Sequence, residues 1–121
     1  MYESGENYLE TILLLSRENQ SVRSIDVAKK LNFSKPSVSR AMGILKEECF
    51  IEIINNGEII LTEIGKSKAE SILERHECLT KFLIKTTGVG SDVAEKDACK
   101  IEHVISEEVF HGIKEFISSS F

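Results

Sequence analysis

Residues that break helices or cross-link loops are scarce in this sequence. One Pro and seven Gly occur among 121 residues, so the chain offers little loop-forming material and most of it can be helical. The three cysteines, at positions 49, 78 and 99, form an odd set without close spacing, which fits a reducing compartment better than a disulfide framework. We interpret Cys49 and Cys78 as small buried hydrophobes.

Long apolar runs and the common catalytic motifs are also missing. No stretch approaches the ~20 residues of a membrane span, and the acidic start differs from the basic start of a signal peptide. There is no His-Glu-x-x-His, no Gly-rich phosphate loop and no nucleophile elbow. Glu108-x-x-His111 is only half of a di-iron motif. These absences predict a cytoplasmic protein that is not an enzyme, with no membrane partner and no organic cofactor.

Charge is distributed unevenly along the chain. The net charge is −5 at pH 7. Residues 21–50 carry six basic and three acidic side chains, a net of +3, which leaves −8 for the remainder. This asymmetry fits a nucleic-acid face in one region and a cation-binding region in another, although ordinary fluctuation can also produce it.

Apolar periodicity predicts three helices in the first half of the chain. Residues 6–18 carry apolar side chains at helical spacing, with Ser4 as the N-cap. Residues 24–31 form a short helix capped by Ser24. Residues 35–48 form a third helix, capped by Ser34 and with Pro36 in its first turn, where the missing N–H costs little. Two short helices joined by a tight turn are typical of a helix-turn-helix.

A β-hairpin is predicted directly after this pair. Residues 50–62 contain two β-branched runs around Asn55-Asn56-Gly57, and Asn-Gly favours a hairpin because both residues tolerate positive φ. A hairpin in this place is a wing, so residues 6–62 are interpreted as a winged helix.

The second helix of the pair has the residues expected of a DNA-recognition helix. Its exposed face opens with small hydroxyl and basic side chains, which suit phosphate contacts in the major groove. Arg40 can contact a guanine edge and is the candidate for base readout. A surface helix with a serine-rich start is the alternative. The predicted DNA-binding residues are Arg23, Ser34, Lys35, Pro36, Ser37, Ser39, Arg40 and Lys46.

Three further helices are predicted in the second half. A long helix covers residues 63–86 and ends at Gly88-Val-Gly90; a second covers 91–106, capped by Ser91 or Asp92; a third covers 107–116. Helices this short bury little alone, so we expect a homodimer. The predicted domains are a winged-helix DNA-binding domain, 1–63, and a helical metal-binding and dimerisation domain, 64–121.

Metal-ligating residue types cluster in the second of these helices. Cys99, Glu102 and His103 share one helix face, and Glu95 lies one turn earlier. Thiolate, carboxylate and imidazole are the side chains that bind divalent transition metals. A solvated polar face is the alternative, and it stays open from the spacing alone. His76 is a further candidate.

Three features of the sequence occur together: the winged helix, Arg75-His76-Glu77, and the segment Ala-Cys-Lys-Ile-Glu-His-Val-Ile-Ser-Glu-Glu-Val at 98–109. In these features the chain resembles the diphtheria-toxin-repressor and manganese-transport-regulator family. The resemblance implies a metal-dependent repressor that dimerises through its second domain and binds operator DNA. In that family, Fe or Mn lies between the first helix and the Cys/Glu-x-x-Glu-His helix. By position, the implied metal ligands are Asn7, Glu10, His76, Cys99, Glu102 and His103, with Glu95 as a weaker candidate.

The implied metal site combines two subtypes of that family. Cys99 stands as in the iron regulators, where the manganese type has Glu, whereas Glu10 and His76 match the manganese type. Asn7 replaces the Met or Asp of those two types. We therefore expect Mn(II) or Fe(II), with Zn(II) or Ni(II) able to bind in vitro, and the two-domain plan of the manganese regulators.

The sequence as a whole predicts a mainly α protein with a small β-hairpin that represses metal-homeostasis genes. A twofold homodimer would read an inverted-repeat operator in double-stranded DNA. Two alternatives stay open. One is a winged-helix regulator that does not respond to metal. The other is a small metalloenzyme, which would leave the wing and the basic helix unexplained.

Overall fold

The computed structural model describes residues 3–120, and it is mainly helical with one hairpin, as predicted. In chain order the elements are α1 (Glu3–Glu18), α2 (Ser24–Leu31), α3 (Lys35–Glu47), β1 (Ile51–Ile53), β2 (Ile59–Leu61), α4 (Glu63–Thr87), α5 (Ser91–Ile101) and α6 (Glu107–Ser120). Within these residues, every helix is too short or too polar to cross a lipid bilayer. The chain divides inside α4 into two compact units, Met1–Glu70 and Ser71–Phe121.

The first unit packs α1, α2 and α3 around an apolar core that the hairpin completes. Val38, Met42 and Leu45 of α3 are buried. In α2 the fully buried residue is Val27, whereas Ile25 is only half-buried. Other large, fully buried apolar side chains of this unit come from α1, the segment before α2 and β1: Leu9, Ile12, Val22 and Ile51.

Several predicted N-caps lie elsewhere. Ser4 is inside α1, and Ser24 is the first residue of α2 rather than its cap. The cap of α2 is Arg23, whose backbone N–H donates to Asp26 Oδ2 at 2.8 Å. Because a carboxylate three residues along satisfies this N–H, the helix starts without a Ser cap. Ser34 is confirmed as the cap of α3, since its hydroxyl accepts from the backbone N–H three residues along, at 3.4 Å.

The predicted hairpin is confirmed, with a different turn. Its strands are antiparallel, with Ile51 opposite Leu61 and Ile53 opposite Ile59. Gly57 has φ +84°, and its N–H donates to the Ile54 carbonyl at 2.8 Å. Asn55 and Asn56 keep negative φ, so the loop has three residues with Gly in the left-handed position. Of the Asn-Gly pair, only Gly57 adopts the positive φ that both residues tolerate.

The hairpin and the start of α4 are held together at Phe50. Thr62 Oγ1 accepts from the Gly65 N–H at 3.0 Å, which caps α4, and donates to the Cys49 carbonyl at 2.7 Å. A Cβ on Gly65 would lie 1.9 Å from the Phe50 carbonyl oxygen, so only glycine fits there. Cys49 is exposed and has φ +67°. Its interpretation as a buried hydrophobe is therefore wrong.

The second unit has its own apolar cluster, with Cys78, Phe110 and Ile117 buried and partly buried hydrophobic side chains around them. Cys78 is buried as predicted. Desolvation raises the pKa of its thiol above 9.0, and the nearby Glu74 carboxylate raises it further. The partly buried residues packed against the cluster are Phe82, Ile105 and Ile113.

The helices of this unit differ from the predicted ones at their ends. The Gly88 N–H donates to the Ile84 carbonyl at 2.9 Å and Gly88 has φ +76°, so α4 ends where predicted. Gly90 is the N-cap of α5, and the proposed cap residues Ser91 and Asp92 lie in its first turn. Helix α5 ends at Ile101, five residues before the predicted end, and α6 continues to Ser120.

Candidate metal centre and nucleic-acid interface

The candidate metal ligands of the second unit lie where α5 ends. Glu102 is the C-cap residue, with helical φ −58° and ψ −23°, and its N–H donates to the Ala98 carbonyl at 2.9 Å. Because Glu102 keeps a helical conformation, it stays one turn beyond Cys99. Beyond it, Ser106 Oγ accepts from the Val109 N–H at 3.1 Å, which caps the start of α6.

Cys99, Glu102 and His103 are brought together despite the early end of the helix. One ligand atom from each lies within 4.8 Å of the other two. The side chains of Glu102 and His103 are fully buried, and Glu102 Oε1 lies 3.2 Å from His103 Nε2. Cys99 is half-buried.

His76 reaches the same carboxylate from α4. Its Nδ1 lies 2.9 Å from Glu102 Oε2, and its side chain is 21% exposed. His76, Cys99 and Glu95 also line an open depression on the second unit, together with Asp92 and Lys96. Glu95 is exposed at its rim, whereas Glu102 lies in the interior.

These residues fit a transition metal. Within residues 3–120, the buried Glu102 Oε1 makes no hydrogen bond, and a buried carboxylate oxygen is costly unless a cation or a donor compensates it. Two donors bound tetrahedrally to one ion at ~2.0–2.3 Å lie about 3.3–3.8 Å apart. The three donor atoms lie within 4.8 Å of one another, so they would move closer by up to about 1 Å around an ion, and sulfur, oxygen and nitrogen suit Fe(II), Mn(II) or Zn(II).

Asn7 and Glu10 lie on α1, in the first unit. They are three residues apart and half-buried, so they share one face of the helix. The Asn7 backbone carbonyl accepts from Thr11 Oγ1 at 2.8 Å, a contact within the helix that does not involve the Asn7 side chain. The role of both residues as ligands stays a prediction.

The predicted DNA-binding residues of α3 are exposed to solvent. Ser34 Oγ donates to Ser37 Oγ at 2.8 Å, which fixes the hydroxyls at the start of the helix. Arg40 lies just beyond the first turn, and Lys46 near the end. The residues of α3 and its cap predicted to bind DNA are all exposed: Ser34, Lys35, Pro36, Ser37, Ser39, Arg40 and Lys46.

Arg23 is placed differently from the other predicted DNA contacts. Its Nε donates to the Asn56 carbonyl in the hairpin turn at 3.0 Å, while the Ile59 N–H donates to the Val22 carbonyl at 2.7 Å. The side chain thus joins the start of α2 to the tip of the wing. Sequence spacing did not indicate this contact, because 33 residues separate its partners.

Together these features define the class of protein: an exposed recognition helix and a wing, followed by a helical unit in which a half-buried thiol meets a buried carboxylate and a buried imidazole. Comparison with known families agrees. Residues 1–54 match the iron dependent repressor N-terminal DNA binding domain, and residues 62–119 match the iron dependent repressor metal binding and dimerisation domain. The chain therefore belongs to the iron-dependent repressor family, whose members are transcriptional repressors and not enzymes.

Curated relatives share about a third of the aligned residues with this chain. An uncharacterised HTH-type transcriptional regulator of Methanocaldococcus jannaschii is 32% identical over 118 residues, covering 97% of this chain and 94% of the relative. The transcriptional regulator MntR of Escherichia coli O157:H7 is 33% identical over 111 residues, covering 92% and 71%. The predicted family, and with it the metal-dependent repressor class, is confirmed.

Solved structures share the fold. The crystal structure of T. acidophilum IdeR has a TM-score of 0.83 at 26% identity, and it covers 93% of this chain. A manganese-dependent transcriptional repressor solved with manganese has a TM-score of 0.86 at 23% identity, covering 94%. This chain spans about half the length of these two proteins, 53% and 52%. At 23% identity the second likeness concerns the fold alone.

Proposed function

We propose that this protein is a cytoplasmic metal sensor that binds an inverted-repeat operator as a homodimer and represses genes of metal homeostasis. The observation that carries the proposal is the buried cluster of Cys99, Glu102 and His103 in a chain whose α3 exposes Ser34, Lys35 and Arg40. A metal-independent regulator has no need for a buried carboxylate beside a thiol and an imidazole, since such a group costs stability without a cation.

The proposed metal ligands are Cys99, Glu102 and His103, joined by His76 through its contact with Glu102. Asn7, Glu10 and the exposed Glu95 are included among the proposed ligands only because of the family resemblance. We assign the metal-binding and dimerisation domain to residues 64–121 and the DNA-binding domain to residues 1–63. The bound metal supplies positive charge and fixed coordination geometry. The chain supplies three donor types, two of them on fully buried side chains.

The donor set favours Fe(II) or Mn(II) as the working metal. Imidazole and carboxylate accept both ions, whereas the Cys99 thiolate strengthens binding of softer ions. Zn(II) is therefore expected to bind in vitro and to compete. A relative in the family is named as iron-dependent, and a similar fold has been solved with manganese.

Repression requires that metal binding and operator binding be coupled. A ligand that shifts a two-state equilibrium from 1:99 to 99:1 must bind one state about 5.5 kcal/mol better than the other. A site with several charged donors can supply that difference. By reciprocity, operator DNA then raises the affinity of the protein for its metal by the same factor.

A twofold dimer presents two copies of α3, so the operator is an inverted repeat with half-sites about one helical turn apart. Within each half-site, Arg40 reads a base edge in the major groove. The hydroxyls of Ser34, Ser37 and Ser39 and the ammonium groups of Lys35 and Lys46 contact phosphates.

The decisive experiment selects binding sites from a random pool of double-stranded DNA with anaerobic, Mn(II)-loaded protein. Affinity for the selected site is then titrated with Mn(II), Fe(II), Zn(II) and no metal. We expect tight binding only with metal, and loss of the metal effect in Cys99→Ala and His103→Ala. His111→Ala is the matched control, because His111 is exposed on α6. Equal affinity with and without metal would support a metal-independent regulator instead.

A further inference from the structure

The turn between α5 and α6 carries two of the proposed metal ligands outside any helix. Within it, the N–H groups of Val104 and Ile105 both donate to the Ile101 carbonyl, at 3.0 and 3.2 Å. The carbonyls of Glu102 and Ile105 lie beyond the last helical hydrogen bond, so they need donors from another element.

Arg75 of α4 supplies those donors. Its Nη1 donates to the Glu102 carbonyl at 3.1 Å and to the Ile105 carbonyl at 3.3 Å. Its Nη2 pairs with the Glu107 carboxylate at the start of α6, and its guanidinium lies 5.1 Å from the centre of the Phe110 ring. One planar guanidinium thus contacts both ends of the turn, which a Lys ammonium cannot reproduce with the same geometry.

Arg75 and His76 both contact Glu102, Arg75 at its backbone and His76 at its side chain. The guanidinium of Arg75 binds the backbone carbonyl of Glu102, and the imidazole of His76 contacts its carboxylate at 2.9 Å. We infer that Arg75 is a positioning residue for the metal site: it fixes the backbone of the Glu102–Ile105 turn so that Glu102 and His103 are aligned before metal arrives. This inference rests on the proposed metal site.

The two carbonyl contacts carry this role, and the ion pair adds little. The Arg75 side chain is only 14% exposed, whereas that of Glu107 is 84% exposed, and exposed ion pairs contribute little to stability. Another ion pair, Lys114 with Glu74 at 3.2 Å, also joins α6 to α4 but does not touch the turn. It provides a matched control.

The test uses the full chain, anaerobic, as wild type, Arg75→Ala, Arg75→Lys, Glu107→Gln and Lys114→Gln. Mn(II) affinity is measured by calorimetry at a temperature where every metal-free variant is folded. We expect Arg75→Ala to weaken Mn(II) binding about tenfold, the lower end of what changes around metal ligands cost. Arg75→Lys should lose part of the affinity, and the other two variants should stay within about twofold of wild type.

A second readout needs no metal. Amide hydrogen exchange of residues 102–106 is compared in the metal-free proteins, and it should accelerate in Arg75→Ala but not in Lys114→Gln. Added guanidinium ion, far below the concentrations that unfold proteins, should restore Mn(II) affinity to Arg75→Ala, while methylammonium should not. Arg75→Lys replaces Arg75→Ala throughout if the latter does not fold.

The possible results distinguish a failure of this inference from a failure of the proposed function. Unchanged exchange in the turn would overturn the inference even if the metal binds. Accelerated exchange with unchanged Mn(II) affinity would overturn the positioning role and leave the metal site standing. Failure of the wild type to bind Mn(II), Fe(II) or Zn(II) would overturn the proposed function, and the positioning role with it.

Discussion

His76 Nδ1 and Glu102 Oε2 lie 2.9 Å apart, although 26 residues separate them in the chain. This contact places an imidazole of α4 beside the carboxylate that the end of α5 buries, and the other oxygen of that carboxylate lies 3.2 Å from His103. Glu102 is therefore the central residue of the candidate metal centre, and removing its negative charge leads to the most specific prediction for metal binding.

Glu102→Gln is expected to abolish the metal response without unfolding the protein. The amide keeps the shape of the carboxylate but removes a buried negative charge, so the metal-free protein should be as stable as wild type or slightly more stable. Mn(II) should raise the Tm of wild type by several degrees through mass action, and should leave the Tm of Glu102→Gln unchanged. Thermal unfolding with and without Mn(II) measures both effects. An equal Mn(II)-induced rise in both proteins would show that the metal binds elsewhere.

Gly65→Ala is expected to destabilise the first unit by about 1–3 kcal/mol, or more if the backbone cannot move, as for other overpacked sites. The added Cβ would lie 1.9 Å from the Phe50 carbonyl oxygen, where the hairpin joins the start of α4. Gly43→Ala is the matched control, because a Cβ there meets no atom within 4 Å; it should gain about 0.5–1 kcal/mol from helix propensity. Denaturant unfolding gives both values. Equal stability of the two variants would mean that the backbone at Phe50 leaves room for a Cβ at position 65.

Periodicity and turn chemistry were sufficient to predict the winged helix. The helical spacing of apolar residues at 6–18, the cap at Ser34 and the Asn-Gly pair each act over a few residues, so the sequence displays them directly. The same local rules failed where a distant group supplied the hydrogen bond. Arg75 binds the Glu102 and Ile105 carbonyls across about 30 residues, so α5 ends before the position that helix periodicity predicted.

The candidate metal cluster was predictable as a set of residue types but not as a geometry. Cys99 is on α5 and Glu102 is its C-cap residue, one helical turn further on, and this spacing alone brings them together. His103 lies in the turn beyond the helix, and its burial with Glu102 depends on tertiary contacts. Spacing also could not show that Cys49 is exposed, because its φ of +67° follows from how the chain leaves α3.

Cys78 is expected to make the folding stability depend on pH in the alkaline range. Its thiol is buried and its pKa is raised above 9.0 by desolvation, with a further contribution from Glu74. Well below the usual thiol pKa of about 8.5, both states keep the proton and Cys78 contributes no pH dependence. As pH rises through the pKa of the unfolded thiol, the unfolded state loses this proton first, so the stability of the folded state falls. When the free energy of unfolding is measured from pH 7 to 10.5, it should fall less steeply with pH in Cys78→Ala than in wild type.

The exposed Cys49 provides the control for that pH series. Cys49→Ala removes one exposed thiol, so it shows what the loss of a cysteine side chain does in the same series. Alkylation should modify Cys49 long before Cys78, because the reagent reaches an exposed thiol but not a buried one. Equal slopes for Cys78→Ala and wild type would mean that other groups cause the alkaline loss.

Arg40 and Lys46 should affect DNA binding in different ways, because one is proposed to read bases and the other to bind phosphate. Arg40→Ala is expected to cost about 1–3 kcal/mol on the selected operator and to relax base preference at one position of each half-site. Lys46→Ala should weaken binding to all sequences alike, and the slope of log affinity against log salt should fall by about one for each phosphate that the lysine no longer neutralises. Affinities of both variants for operator and unrelated DNA, measured across a salt series, distinguish the two roles. Lys114→Ala, on α6, should match wild type in both. If Arg40→Ala weakens operator and unrelated DNA equally, Arg40 binds the phosphate backbone, and base readout lies with another residue of α3.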